Sequence, residues 1–120
     1  MGSQAVSMFD KLFKKKANDK AVIKFWKEFE SRAELYADIL AEGDEDSEDY
    51  LWMKGLVGKS LKLCCLDTMC GYDFEFDTSR DPARLIFHHM NDNYLKQVGE
   101  LLAKYYPSSL SGTIGFAVAE

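Results

Sequence analysis

Residues 72–77, with the sequence YDFEFD, alternate aromatic and acidic side chains without a break. Successive side chains of a β-strand point to opposite faces, so this pattern predicts a strand with one apolar and one charged face. A turn signal, TSRDPA, follows at 78–83, and a second predicted strand covers 84–90. The two strands are therefore expected to form an antiparallel hairpin.

One register of this hairpin satisfies both faces together. It sets Phe76 opposite Leu85 on the apolar face and Asp77 opposite Arg84 on the charged face. Directly opposed opposite charges contribute roughly 0.2 to 1 kcal/mol per pair. The same register pairs Phe74 with Phe87, Tyr72 with His89, Glu75 with Ile86 and Asp73 with His88. This two-sided agreement favours a structural role for the carboxylates, as the solvent-facing side of a sheet.

Three helices and a last strand complete the predicted domain. Apolar residues at helical spacing predict three helices. The first begins at Asp19 as its N-cap and runs to about Ala41, the second runs from about Ser47 to near Met69, and the third is capped by Asp92 or Asn93 and ends at Pro107. Within the second helix, Gly55 and Gly58 are expected to allow a neighbouring helix to approach closely, and Gly71 is expected to end it. The segment TIGFAVAE (113–120) is the last strand.

The first predicted helix carries the clearest buried stripe. Its members are Val22, Phe25, Trp26, Phe29, Ala33, Tyr36 and Leu40. The element order ααββαβ makes the last two strands parallel, since the helix between them is a crossover connection. We therefore predict an α+β fold: a two-layer sandwich with a mixed three-stranded sheet and helices packed on one face. Residues 19–120 form the single domain, and residues 1–18 are a basic N-terminal arm or a vector-derived lead-in.

Composition limits the classes of function. The formal net charge is −5 and the isoelectric point is about 5.0, which argues against a nucleic-acid partner because such affinity comes from concentrated Lys and Arg. The three cysteines, Cys64, Cys65 and Cys70, are odd in number and clustered, which indicates reduced thiols in a cytoplasmic protein. No apolar run approaches the length that spans a bilayer.

The N-terminal segment has two interpretations. Phe9, Leu12 and Phe13 recur at helical spacing among four lysines in the segment 9–16. Such a segment can lie on an anionic membrane surface, but a single short one rarely anchors a protein alone. The favoured interpretation is a lead-in whose phenyl rings dock on the domain.

Catalytic and metal-binding interpretations are weaker. An exposed Asp73–His88 pair lacks a nearby nucleophile with the usual motif context, and a solvated strand face does not separate carboxylate pKa values. The cysteine spacing is not a zinc spacing, and the adjacent His88 and His89 point to opposite faces of a strand. We therefore predict no catalytic residue, no metal and no cofactor, with Cys64 as a core residue and His89 as a half-buried ring bonded to the backbone.

Several segments together resemble an uncharacterised bacterial family, a domain of unknown function. They are FWKEF (25–29), YDFEF (72–76), RLIF (84–87), YLKQVGELLAKYYP (94–107) and FAVAE (116–120). The resemblance covers about residues 20–120 and implies a two-layer α+β fold, with no catalytic residues to carry over. One departure is Thr113, which follows Gly112 where the family often has Trp.

Two hypotheses about function remain open. The first is a non-catalytic cytoplasmic module that binds a protein partner, basic in character, through an acidic sheet face and an acidic loop at 42–49. Its candidate residues are Asp73, Glu75, Asp77, Arg84, His88, Asp44, Glu45 and Asp46. The alternative is a small-ligand-binding protein or enzyme with a pocket between helices and sheet near Trp26, Trp52 and His89. The opposite charges of 11–16 and 42–49 could also join two copies into a homo-oligomer.

Overall fold

A computed structural model describes residues 17–66 and 71–120. The basic arm up to residue 16, the predicted helix end near Met69 and the thiol of Cys70 lie outside these ranges. The helices are α1 (Asp19–Ser31), α2 (Ala33–Glu42), α3 (Glu48–Cys64) and α4 (Asn93–Tyr105), with a 3₁₀ turn at Ser108–Leu110. The strands are β1 (Asp73–Asp77), β2 (Arg84–His88) and β3 (Gly115–Ala119). The predicted α+β class and mixed three-stranded sheet are confirmed.

The first predicted helix is in fact two helices, which meet at Arg32. Arg32 has φ −117° and ψ 7°, and its amide donates to the carbonyl of Phe29 instead of continuing the α-helical pattern. The carbonyl of Glu28 accepts from the hydroxyl of Ser31 at 2.7 Å. A serine hydroxyl that bonds back to its own helix competes with the backbone and bends or ends the helix. The N-cap is Asn18 and not Asp19, because the Asn18 side chain accepts from the amides of Lys20 and Ala21.

The break at Arg32 leaves the predicted stripe intact. All seven stripe residues are buried, and Ile39 is buried as well. The sequence places Ile23, Leu35 and Ile39 off the stripe, but Ile23 and Leu35 remain exposed. The two short helices therefore bury one continuous apolar surface despite the change of direction.

The helix α3 ends at Cys64, earlier than predicted. Gly71 has the expected positive φ of 81° but follows the gap in the described residues, so it does not cap α3. Gly55 and Gly58 were expected to allow a neighbouring helix to approach closely, and this expected partner is wrong. A Cβ at Gly58 would lie 3.5 Å from the ring of Phe74 on β1, whereas one at Gly55 would meet nothing within 4 Å. Gly58 therefore faces a strand side chain and not a helix.

The hairpin has the predicted register. Phe76 lies opposite Leu85, Phe74 opposite Phe87, and Asp77 opposite Arg84. The proposed Tyr72–His89 pair lies beyond the ends of the two strands. The order is β1-β2-β3, with β1 and β2 antiparallel and β2 and β3 parallel.

The crossover helix α4 is held tightly against the last strand. Asp92, one of the two residues predicted to cap this helix, is its N-cap. Its carboxylate accepts a hydrogen bond from the amide of Leu95 at 2.9 Å. A Cβ at Gly99 would lie 2.9 Å from the Val118 side chain, so a larger residue there would force Val118 or α4 to shift. Within residues 17–66 and 71–120, no helix is long and apolar enough to cross a membrane.

Candidate interaction surface

The sheet has one face toward the helices and one face away from them. On the inner face, the rings of Phe76 and Phe116 pack on Tyr50 and Trp26, respectively. We call the other side the open face. The register places on it Asp73, Glu75, Asp77, Arg84, Ile86, His88, Gly115, Ala117 and Ala119. This is the composition expected for the acidic sheet face.

One end of the open face is held by Asp77. Its carboxylate accepts from Nε of Arg84 at 3.0 Å, as predicted from their opposed positions. It also accepts from the amide and the hydroxyl of Ser79. These bonds with Ser79, and then the Arg84 guanidinium, lower the pKa of Asp77. Asp77 is thus an ionised residue whose bonds fix the start of the hairpin loop.

The other end of the open face is organised by His88. The sequence pairs His88 with Asp73, and the two residues are opposite each other, but the imidazole contacts Glu75 instead, with Nε2 3.2 Å from a carboxylate oxygen. Its Nδ1 lies 3.1 Å from the carbonyl oxygen of Glu120. Asp73 instead accepts from the amide of Phe74. The exposed Asp73–His88 pair that would be needed for acid–base work is therefore not formed.

The centre of the open face is smooth and apolar. Ile86 is only 8% exposed although it points away from the helices. Its neighbour on β3 is Ala117, and a Cβ at Gly115 would lie 3.2 Å from the Cβ of Arg84. Small residues on β3 therefore lie on the same face as the acidic residues of β1, which we call the acidic rim.

The acidic loop approaches the rim near Tyr50. Gly43 ends α2 with a positive φ of 69°, and Asp44 accepts from the amide of Asp46. Burial raises the pKa of the Tyr50 hydroxyl first, and the charges of Glu45 and Glu75 raise it further. One residue from the loop and one from the sheet thus act on the same phenol. Glu75 is also accessible, since 58% of its side chain is exposed.

Tyr50 is the buried residue beneath this surface whose role sequence reasoning missed. Its spacing with Met53 and Val57 assigns it to the buried side of α3, and it is buried. The available signal was its position directly after the acidic segment 42–49. That position allows a core residue to join the loop to the sheet.

The residues of the alternative pocket have separate partners. Trp26 is buried, and its Nε1 donates to the carbonyl of Leu102 at 2.9 Å. The last four carbonyls of a helix lack helical partners, so this bond closes the end of α4. Trp52 is 48% exposed and packs edge-on against the ring of Tyr36. His89 is half-buried, and its ring accepts a hydrogen bond from the amide of Asn91. His89 thus has the predicted backbone partner, and Trp26 is a core residue.

An open groove lies elsewhere, between α2 and the loops at the ends of the strands. It has a volume of about 620 Å³. The charged residues of its lining are Asp38 on α2 and Arg80 and Asp81 in the hairpin loop. Trp26, Trp52 and His89 do not line it.

The described cysteines are not reactive groups. Cys64 and Cys65 are buried free thiols, and burial raises the pKa of each to about 12. A thiolate is the form that attacks electrophiles or binds metals. Within the part of the chain that the structure describes, no three His, Cys, Asp or Glu side chains are grouped to hold a metal ion.

Comparison of the chain with protein-family models, curated proteins and solved structures finds no match. The interpretation of the surface therefore rests on its own geometry and chemistry.

Proposed function

We propose that this protein is a non-catalytic interaction module that binds a basic protein partner through the open face and the acidic loop. The observation that carries the proposal is the packing of Tyr50, which directly follows the acidic loop, against Phe76 of β1. The charges of Glu45 in the loop and Glu75 on the sheet both act on the hydroxyl of Tyr50, so the two acidic segments are near the same residue.

The shape of the surface supports a protein partner. The part-exposed small residues Gly115, Ala117 and Ala119 of β3 can accept apolar side chains, and the β1 rim supplies charge along one side of them. Protein interfaces commonly combine an apolar centre with a polar rim. Because charged rims steer association and select partners, a partner with lysines or arginines is favoured.

The charge balance supports a basic partner. Along the open face, Asp73, Glu75 and Asp77 oppose the single permanent cation Arg84. The segment 42–49 adds six carboxylates and no cation. Since Arg84 is already bonded to Asp77, the accessible excess charge belongs to Asp73, Glu75 and the loop.

The state of Asp77 supports a binding role over a catalytic one. A general acid at neutral pH needs a raised pKa, and the pKa of Asp77 is lowered. The free thiols of Cys64 and Cys65 fit the reducing bacterial cytoplasm that we propose as the setting, in keeping with the family resemblance.

Capture from lysate with charge-matched baits tests the proposal. One bait carries Asp73→Asn and Glu75→Gln, and the control carries Glu34→Gln and Glu100→Gln, two exposed acids on α2 and α4. Each pair removes two negative charges, and each leaves Asp77 and its bonds in place. We expect a partner that the wild type and the control retain and the open-face variant loses. Equal retention by both variants would reject the proposed surface.

A second candidate function is small-ligand binding in the groove beside α2. Its volume of about 620 Å³ is within the range of roughly 300 to 1,000 Å³ for ligand sites. Arg80 supplies a cation and Asp38 an anion for a polar ligand. A metabolite panel read by thermal shift, repeated with Arg80→Gln, tests it, because a genuine ligand of the groove must lose its shift in that variant.

A further inference from the structure

A second groove, between α1 and the end of α3, exposes apolar surface. It has a volume of about 280 Å³ and begins at the N-cap of α1. Its lining consists of Asn18, Lys20, Ala21, Lys24, Phe25, Glu28, Ser60, Leu63 and Leu66. We call it the α1–α3 groove.

The apolar side of this groove is exposed more than the core around it. Leu63 is 51% and Leu66 is 69% exposed. On the α1 side of the groove, the lining residue Phe25 is only 2% exposed. Single exposed leucines are ordinary, but two along one concave surface mark a place where an apolar group can bind.

We propose that the segment 9–13 of this same chain binds in the α1–α3 groove through Phe9, Leu12 and Phe13. These residues share one face at helical spacing. The chain passes directly from them to Asn18, which itself lines the groove. The occupant is therefore tethered at the entrance of its site.

The length of the tether is sufficient. The five residue-to-residue steps from Phe13 to Asn18 reach at most about 17 Å when extended. The wall of the groove from Asn18 to Glu28 is about 15 Å long at the rise of an α-helix. A short tether also gives a high effective concentration, so the contact can be weak and still form.

Charge determines which side of the segment faces the groove. Lys20 and Lys24 outnumber the one anion of the lining, Glu28, so the net repulsion of the four lysines of 9–16 favours an arrangement in which they face solvent. The last carbonyls of α3 favour nearby cations, which lessens this repulsion. We therefore expect the phenyl rings to make the contact with the groove. This contact should depend little on salt, whereas binding of a basic partner to the open face should weaken as salt is added.

Amide NMR spectra of the full chain test the proposal with two matched variants. The first, Phe9→Ser/Phe13→Ser, removes the apolar face of the segment. The control, Lys11→Ser/Lys14→Ser, changes the polar face at the same number of positions. We expect the first variant to shift the amide signals of Lys24 and Leu63, and the control to leave them in place at low and high salt.

Three results would overturn the proposal. Unchanged groove signals in Phe9→Ser/Phe13→Ser would show that the rings do not bind there. Groove signals that depend on protein concentration, with a doubled mass in sedimentation, would place a second copy in the groove instead. Wild-type groove signals in that variant, combined with loss of binding to phosphatidylserine vesicles, would assign the segment to a membrane surface.

Discussion

Replacing Gly99 by alanine tests the packing of the crossover helix most sharply. The added Cβ would lie 2.9 Å from Cγ1 and 3.4 Å from Cγ2 of Val118, and 3.6 Å from the ring of Phe87. Overpacking of this kind costs about 1–3 kcal/mol. Alanine in a helix interior returns up to about 1 kcal/mol relative to glycine. The expected net effect on the free energy of unfolding is a loss of about 0–3 kcal/mol.

Gly55→Ala is the matched control. Gly55 is also inside a helix, but a Cβ there meets nothing within 4 Å, so only the gain of up to about 1 kcal/mol applies. The propensity terms cancel in the comparison, and Gly99→Ala should be about 1–3 kcal/mol less stable than Gly55→Ala. Urea denaturation measures both values, and the difference corresponds to at least about 4 °C in Tm for a domain of this size.

A second substitution locates the cause. Val118→Ala removes the methyl groups that the new Cβ would meet, so Gly99→Ala should cost less in that background than in the wild type. Equal stability of Gly99→Ala and Gly55→Ala, or a cost unchanged by Val118→Ala, would refute the close approach of α4 to β3.

Three further results are expected. Trp26→Phe should lower the free energy of unfolding by about 1–3 kcal/mol in urea denaturation, because the carbonyl of Leu102 loses its buried donor; wild-type stability would contradict that role. Alkylation of Cys64 and Cys65 near pH 8, followed by peptide mapping, should be slow until urea unfolds the protein, since burial raises both pKa values to about 12; rapid native labelling would contradict their burial. Because the pKa of Asp77 is lowered on folding, its contribution to stability is present at neutral pH and is lost as the pH falls below about 5. In denaturation measured at several pH values, Asp77→Asn should therefore lose less stability in acid than the wild type. Parallel curves of stability against pH for the two proteins would count against this linkage.

The hairpin could be predicted from the sequence because two independent patterns agree on one register. A shift by one residue would move Phe76 to the charged face and Asp77 to the core. The buried stripe of the first helical segment was predictable for a similar reason, since Phe25 and Tyr36 stay on one side even across the break.

Other features depend on contacts that periodicity does not contain. The break at Arg32 results from a hydroxyl of Ser31 bonding to the backbone, and serine is also common on the surfaces of uninterrupted helices. The partner of Gly58 is a ring that approaches from β1, which spacing within α3 could not reveal.

The candidate surface was predicted in composition but not in detail. Alternation placed Glu75 and His88 on the open face, but their contact is diagonal and not between opposed residues. The sequence places Trp26 both on the buried stripe and near the alternative pocket, and in the structure it is a buried core residue. Its buried bond with α4 depends on tertiary packing, which a single sequence does not show.

The affinity of a captured partner for charge-matched variants tests the central claim most directly. Exposed charge pairs are worth about 0.2–1 kcal/mol each, so losing Asp73 and Glu75 should weaken binding up to about thirtyfold. Isothermal titration with the purified partner should show this loss for Asp73→Asn/Glu75→Gln and wild-type affinity for Glu34→Gln/Glu100→Gln. Equal affinity of the two variants would contradict the assignment of the open face as the binding surface.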